Sequence, residues 1–261
     1  MPRINNAATV KKQYGTSTNL STRISIHAKY STNKQGFGNW ISDHYDIREG
    51  MKILELGCGT GEMWKGKEEL IGKCSELVLS DFSEGMIEKT RETLGDDPKI
   101  TYKVIDIQDI PYEDNEFDIV IANMMLYHVP DLQKGLGEVK RVLKQGGAFY
   151  CATFGEYGIL EYIYELLKDH VTPGQANRSF TLQNGAEKLN EFFADVTRDR
   201  YEDSLEVTDI DDLVDYVYSL ASMSGLQRLP RETVRDELGK HMVNGVLKVP
   251  KDYGMFIARK A

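Results

Sequence analysis

The chain has 261 residues, 41% apolar and 28% charged, with a formal net charge of −9. It is long and apolar enough to bury a core, and its 23 glycines and 7 prolines follow no period, which excludes collagen-like, coiled-coil and repeat architectures. The acidic balance disfavours broad electrostatic binding to nucleic acid or to an anionic membrane.

The first residues, MPRINNAATVKKQYG, contain no apolar run of the kind a secretory signal needs. Residues 1–42 carry Arg3, Lys11, Lys12, Arg23, Lys29 and Lys34 and no acid, whereas residues 201–216 carry seven acids and no base. One reading is a flexible basic arm and a solvated acidic helix face; the other is that the arm covers an anionic ligand or docks on the acidic segment. Residues 23–40 (RISIHAKYSTNKQGFGNW) have the pattern of an amphipathic helix running into a Ser-Thr-Asn turn.

Strand-like runs follow at Lys52–Leu56, Leu77–Ser80, Ile100–Ile105, Phe117–Ala122 and Ala148–Thr153. Helical patterns alternate with them at 61–71, at 83–94 with Ser83 as N-cap, and at 130–144 closed by Gly146-Gly147. This alternation predicts right-handed crossovers and a mostly parallel, doubly wound sheet. The longest apolar stretch, Ile119 to Val129, is too short to span a membrane and contains Asn123 and His128. Helices are expected again over 155–170 and 185–193, and a strand over Val196–Val207. A Thr208–Asp211 capping box opens the next helix. A helix at Pro230–Met242 and a last strand at Tyr253–Arg259 complete the chain, the late strands reading as an edge pair. The expected organisation is a basic arm and lid helix at 1–50, a core at 51–155, and the rest of the sheet with helical lid insertions at 156–261. Cys58, Cys74 and Cys151 have no CxxC spacing, which points to a reducing cytoplasm rather than to disulfides or a zinc site.

The strongest local signal is Gly57-Cys58-Gly59-Thr60-Gly61 after the first strand. Glycines let a backbone turn tightly and approach a ligand closely, although a plain strand-to-helix turn explains two of the three. A dinucleotide fingerprint fails, because position 62 is Glu and, counted from Gly59, position 64 is Trp. Glu55, two residues before the loop, suits a cationic group such as the ammonium of an amino acid. Asp81 ends the second strand, where a carboxylate can accept from both ribose hydroxyls, and Asp106 follows the third, where it can accept from an exocyclic adenine amine. Each alone could be a solvated acid; three at consecutive strand ends lie on the ligand-binding edge of such a sheet.

In these segments, ILELGCGTG (53–61), LVLSDFSEGMIEKTRE (77–92), IDIQDIPYEDNEFDIVIANMMLYHVPD (105–131) and LGEVKRVLKQGGAFYCATFG (136–155), the chain resembles the class I S-adenosylmethionine (SAM)-dependent methyltransferases of the type 11/25, quinone-biosynthesis-like branch. The resemblance implies an α/β, Rossmann-like, doubly wound seven-stranded sheet with an antiparallel last strand and a helical lid. It also implies SAM as cofactor and S-adenosylhomocysteine as product. Gly57, Cys58 and Gly59 would lie beside the methionine part, with Glu55 reading its amino group through water. Asp81 would take the ribose, Phe82 and Met86 the adenine faces, and Asp106 with the Ile107 backbone the adenine edge. Asn123 would offer a carbonyl. The family's usual Lys-Pro-Gly-Gly turn has Gln145 in place of proline.

The N-P-P-F/Y sequence of amino-directed base methylation is absent after Asn123, and Cys151 lies within a strand rather than in a Pro-Cys nucleophile. Asn123 also stands where metal-assisted catechol-type enzymes need an acid. These points lead to metal-independent, in-line transfer to O, N or C of a small-molecule acceptor, with no DNA or membrane partner, by a monomer or homodimer. A general base is needed only for an alcohol, phenol or protonated amine, and His128 and Tyr30 are the candidates near the reacting groups. His128 could equally be structural, while Tyr30 could cover the cofactor's methionine end with Arg23, His27 and Lys34 facing the substrate. Tyr157, Tyr162, Tyr164, Phe180, Phe192 and Phe193 read chiefly as lid core. The alternatives are a non-catalytic SAM-binding partner or sensor, and a methyltransferase acting on a peptide or RNA.

Overall fold

A computed structural model describes residues 17–171, 177–220 and 226–261, so Arg3, Lys11 and Lys12 of the expected basic arm lie outside the described residues. The described residues divide into two compact units: those within 37–154, 179–200 and 254–261 form the sheet unit, and those within 17–36, 155–171, 177–178, 201–220 and 226–253 form the other.

The sheet unit holds strands β1 (Lys52–Leu56), β2 (Glu76–Asp81), β3 (Ile100–Val104), β4 (Phe117–Ile121), β5 (Leu143–Phe154), β6 (Ala194–Tyr201) and β9 (Tyr253–Arg259), in the spatial order β3-β2-β1-β4-β5-β9-β6. β1 pairs in parallel with β2 and β4, β2 with β3, and β4 with β5. The last strand is antiparallel; the Gly146 N–H donates to the Lys260 carbonyl at 2.9 Å and the Lys260 N–H to the Gly147 carbonyl at 3.1 Å. The central strands read as continuous apolar runs because both faces are covered. Leu54, Val78 and Val120 pack on one side with Leu136, Val139 and Val142. Ile53, Leu77 and Ile119 pack on the other with Ile41, Trp64, Ile71 and Tyr150. The chain leaves β1 toward β3 on one side and returns through β4 on the other. The order therefore reverses between β1 and β4, where α/β sheets open a crevice at the strands' carboxyl ends.

Several local expectations are corrected. The helix expected at 61–71 is confined to α3 (Glu68–Lys73), because Gly61 and Gly66 take φ of +77° and +73° and unwind the first turns. Ser83 stands at the N-cap of α4 (Glu84–Leu94) without a side-chain capping bond; its N–H instead donates to Asp81 at 2.9 Å. Gly146-Gly147 does not close α5 (Leu132–Val142). β5 begins at once, and its register against β4 slips between Phe117 and Ile119, so the glycine pair lies within the strand. β9 is not an edge strand: Gly254 to Phe256 are buried between β5 and β6. Phe180, Phe192 and Phe193 pack in the sheet's own core rather than in a lid.

The expected strand Val196–Val207 divides. β6 takes its first part to the sheet edge, while β7 (Ser204–Val207) pairs antiparallel with β8 (Leu247–Pro250), a strand the sequence reading missed. In this second unit α1 (Ser17–Tyr30), α6 (Ile159–Leu166), α8 (Ile210–Ser219) and α9 (Arg231–Gly239) bury Ile26, Ile163, Leu213, Val217, Val234 and Val249 together. Asp209, not Thr208, caps α8, accepting from the Asp211 N–H at 3.0 Å. The acidic run is paired rather than bare: Lys29 and the Tyr30 hydroxyl donate to Asp212, Arg231 pairs with Asp215, and Arg235 with Asp211. Among the described residues no helix is long and apolar enough to cross a membrane.

Candidate functional site

The glycine loop lies at the reversal point, directly after β1. Gly57 (φ +73°) has no room for a side chain, since a Cβ would stand 2.9 Å from the Met125 Cγ. Gly59 (φ +59°) faces open space instead, so its bare Cα leaves a cradle that a Cβ would fill. Its N–H donates to Asp81 Oδ2 at 3.1 Å and its carbonyl accepts from the Thr90 hydroxyl at 2.8 Å, which fixes the loop on β2 and α4. Cys58 is a buried thiol 3.5 Å from the Thr90 hydroxyl, and burial raises its pKa above the ordinary value.

Glu55 is the deepest acid of the set, 2% exposed. Its Oε2 accepts the Trp64 indole N–H at 2.6 Å. Burial raises its pKa from 4.5 to about 7 and the nearby Asp81 charge adds to the rise, while hydrogen bonds from Trp64 and Asn123 oppose it. Asn123 is itself clamped: its amide donates to the Tyr45 hydroxyl at 2.6 Å, and its Oδ1 accepts from the Ala152 N–H at 3.1 Å. Tyr45, Asn123, Glu55 and Trp64 thus form one buried chain of hydrogen bonds. The adjoining Met124, three residues past the end of β4, holds φ of +54°, an unfavourable backbone state for a residue with a side chain.

Asp81 uses its two oxygens on the N–H groups of Gly59 and Ser83, and burial still raises its pKa. Asp106 accepts from the backbone and side-chain amides of Gln108 at 2.9 and 3.0 Å, and the adjacent Ile107 is buried. Phe82 is 58% exposed, uncommon for a phenylalanine, and Met86 is half-buried one turn into α4. His128 closes a short 3-10 turn (Leu126–His128); its Nδ1 is buried without a hydrogen-bond partner, and burial lowers its pKa. Tyr30 belongs to the second unit, where its ring is buried and its hydroxyl donates to Asp212.

The family described as "Methyltransferase domain" matches residues 54–151. The ubiquinone/menaquinone biosynthesis C-methyltransferase UbiE of Idiomarina loihiensis is 30% identical over 182 residues, 63% of this chain and 72% of that one. The chain belongs to the class I SAM-dependent methyltransferases. Within the type 11/25 branch, the demethylmenaquinone methyltransferase of Staphylococcus aureus (strain MRSA252) is 37% identical over 105 residues, 40% of this chain. The match covers 44% of that relative, so the chain spans less than half of its length. In fold the chain is similar to the Haemonchus contortus phosphoethanolamine N-methyltransferase 2 solved with SAM, at TM-score 0.59 and 18% identity over 97% of this chain and 59% of that one.

Trp64, Tyr45 and Thr90, which bond to Glu55, Asn123 and Gly59, are not singled out by the sequence reading. Trp64 has one signal, its place between Gly61 and Gly66 where a regular helix has to break, and Tyr45 and Thr90 have none.

Proposed function

We propose that this chain transfers the methyl group of SAM to O, N or C of a small-molecule acceptor. The observation that carries this reading is Glu55: a buried carboxylate beside a glycine loop has little reason to be kept unless it meets a cation. The residues fit SAM. Glu55 would take the ammonium, Gly57, Cys58 and Gly59 the methionine part, and Asp81 the ribose. Phe82, Met86, Asp106 and Ile107 would surround the adenine, with the Asn123 carbonyl toward the cofactor. When bound, SAM supplies a methyl already activated as a sulfonium. The chain's own contribution is therefore to fix the acceptor in line and exclude water. Asparagine at position 123, where a metal-dependent site would want an acid, favours direct transfer. His128, neutral and with a free Nδ1, is suited to take a proton from an acceptor hydroxyl. The names of the UbiE and demethylmenaquinone relatives make a demethylated quinone the first acceptor to try.

Calorimetric titration with SAM, S-adenosylhomocysteine and NAD tests the reading: micromolar binding of the two sulfur ligands and none of NAD is expected, whereas tight NAD binding overturns it. Binding of SAM without homocysteine release from any acceptor would favour a sensor.

A further inference from the structure

We propose that Trp64 is a positioning residue for the cofactor's amino-acid end, its indole N–H being what holds Glu55 as an oriented, ionised carboxylate. This rests on the reading that Glu55 meets the ammonium of SAM. Glu55 is almost wholly buried on β1, and the titratable groups that feel its charge are Asp81 from β2, Tyr45 from the segment after α2 (Phe37–Asp43), and Cys58 from the loop. Of the three, Asp81 is the one that carries a charge near neutral pH and so disfavours a charge on Glu55; Tyr45 and Cys58, whose pKa values burial raises, stay neutral. The stabilising contacts are the neutral donors Trp64 and Asn123, and the Trp64 bond is short, 2.6 Å.

Geometry gives Trp64 this task and little freedom to do another. Its backbone N–H donates to the Gly61 carbonyl at 3.0 Å inside the turn between two left-handed glycines. The ring is 2% exposed and stacks on Tyr45 at 6.3 Å and 24°. A buried indole N–H needs an acceptor. Here the acceptor is the one carboxylate whose charge an incoming ammonium requires, so binding of the cofactor is linked to loss of a proton from Glu55 near neutral pH.

The test uses S-adenosylhomocysteine, with methylthioadenosine, which lacks the amino-acid part, as control. Both are titrated calorimetrically into wild type, Trp64→Phe and Glu55→Gln between about pH 5.5 and 8.5. Since Glu55 titrates at about 7, wild-type affinity for S-adenosylhomocysteine should be about tenfold weaker one pH unit below that point. Trp64→Phe should move the midpoint upward by about one pH unit, Glu55→Gln should bind weakly at every pH, and methylthioadenosine should show no pH dependence. Independently of any ligand or variant, the chain has two tryptophans, Trp40 and Trp64, and one of their two indole 15N–1H resonances should titrate with the same midpoint. An unmoved midpoint in Trp64→Phe, a methylthioadenosine profile that follows S-adenosylhomocysteine, or flat indole resonances in a protein that binds S-adenosylhomocysteine would each overturn the proposal alone. Absence of S-adenosylhomocysteine binding at every pH, with an indole that does titrate, would overturn the reading of the site and the proposal with it.

Discussion

Glu55→Gln is expected to stabilise the ligand-free sheet unit at pH 7.5 while removing most of its affinity for SAM. A carboxylic acid whose folded pKa lies above its unfolded value binds more protons folded than unfolded between the two. Stability is then greatest at low pH and is lost as pH rises. For Glu55 the window runs from the ordinary value of 4.5 to about 7, with burial as the main cause. Two and a half units correspond to about 3 kcal/mol at 1.36 kcal/mol per unit. The wild type should lose that much between about pH 4.5 and 7.5 from this group alone. The glutamine variant, neutral throughout and still able to accept from Trp64, should lose none of it. Trp40 and Trp64 both belong to the sheet unit, so urea unfolding followed by their fluorescence at the two pH values measures the effect where it arises. A wild-type transition that does not weaken as pH rises, relative to the variant, would mean that Glu55 is ionised in the fold without cost. The expected trade, stability gained and binding lost by one substitution, is the mark of a group kept for a ligand rather than for the core.

The same residue shows how far sequence can be read. β1 and β9 fall where expected, Lys52–Leu56 and Tyr253–Arg259, because a strand buried on both faces leaves a continuous apolar run that needs no knowledge of its neighbours. Glu55 and Asp81 stand out for a related reason, as charges within or at the end of such runs, whereas Asp106 follows the more exposed ITYKV of β3. What surrounds them was not legible. That Trp64 turns back onto Glu55, and that Tyr45 reaches Asn123 across 78 positions, depends on left-handed glycines and on packing between elements far apart in sequence. Periodicity over 61–71 favours a helix, and the left-handed Gly61 and Gly66 together with the indole's bond to Glu55 explain why one forms only from Glu68. The late segments failed differently. TRDRYEDSLEV carries alternating polarity throughout, yet two different sheets claim its halves, and β8, which pairs with the second half, is too short to announce itself.

In the second unit, Asp203→Ala is expected to be the most damaging single change, at about 3–5 kcal/mol. The Asp203 and Lys251 side chains are 0% and 3% exposed and form an ion pair. Burial pushes the Asp203 carboxyl up, but the Asn33 N–H and Lys251 outweigh it and hold its pKa below the ordinary value; burial lowers that of Lys251. Around the pair, Asp203 also accepts from the Asn33 N–H at 2.9 Å, the Ser204 N–H at 2.8 Å, and the hydroxyls of Ser31 and Thr32 at 3.0 and 3.1 Å. Truncation to alanine therefore leaves a buried ammonium without its anion and strips the acceptor that joins the end of α1 to the start of β7. Lys251→Met should cost less, because the carboxylate keeps four donors and the methionine stem still packs between the rings of Tyr201 and Tyr253. Asp203→Asn combined with Lys251→Met, which removes both charges and keeps an acceptor, should recover most of the loss of Asp203→Ala. Amide hydrogen exchange across Ile210–Ser219 reads this unit without relying on tryptophan, and the order of the three variants decides the matter. If Asp203→Ala is no worse than Lys251→Met, the acceptor network carries nothing and the charge pair is all that counts. If the double variant is as unstable as Asp203→Ala, charge is what this core cannot do without, since neither the cavity nor the lost acceptor would then explain the cost.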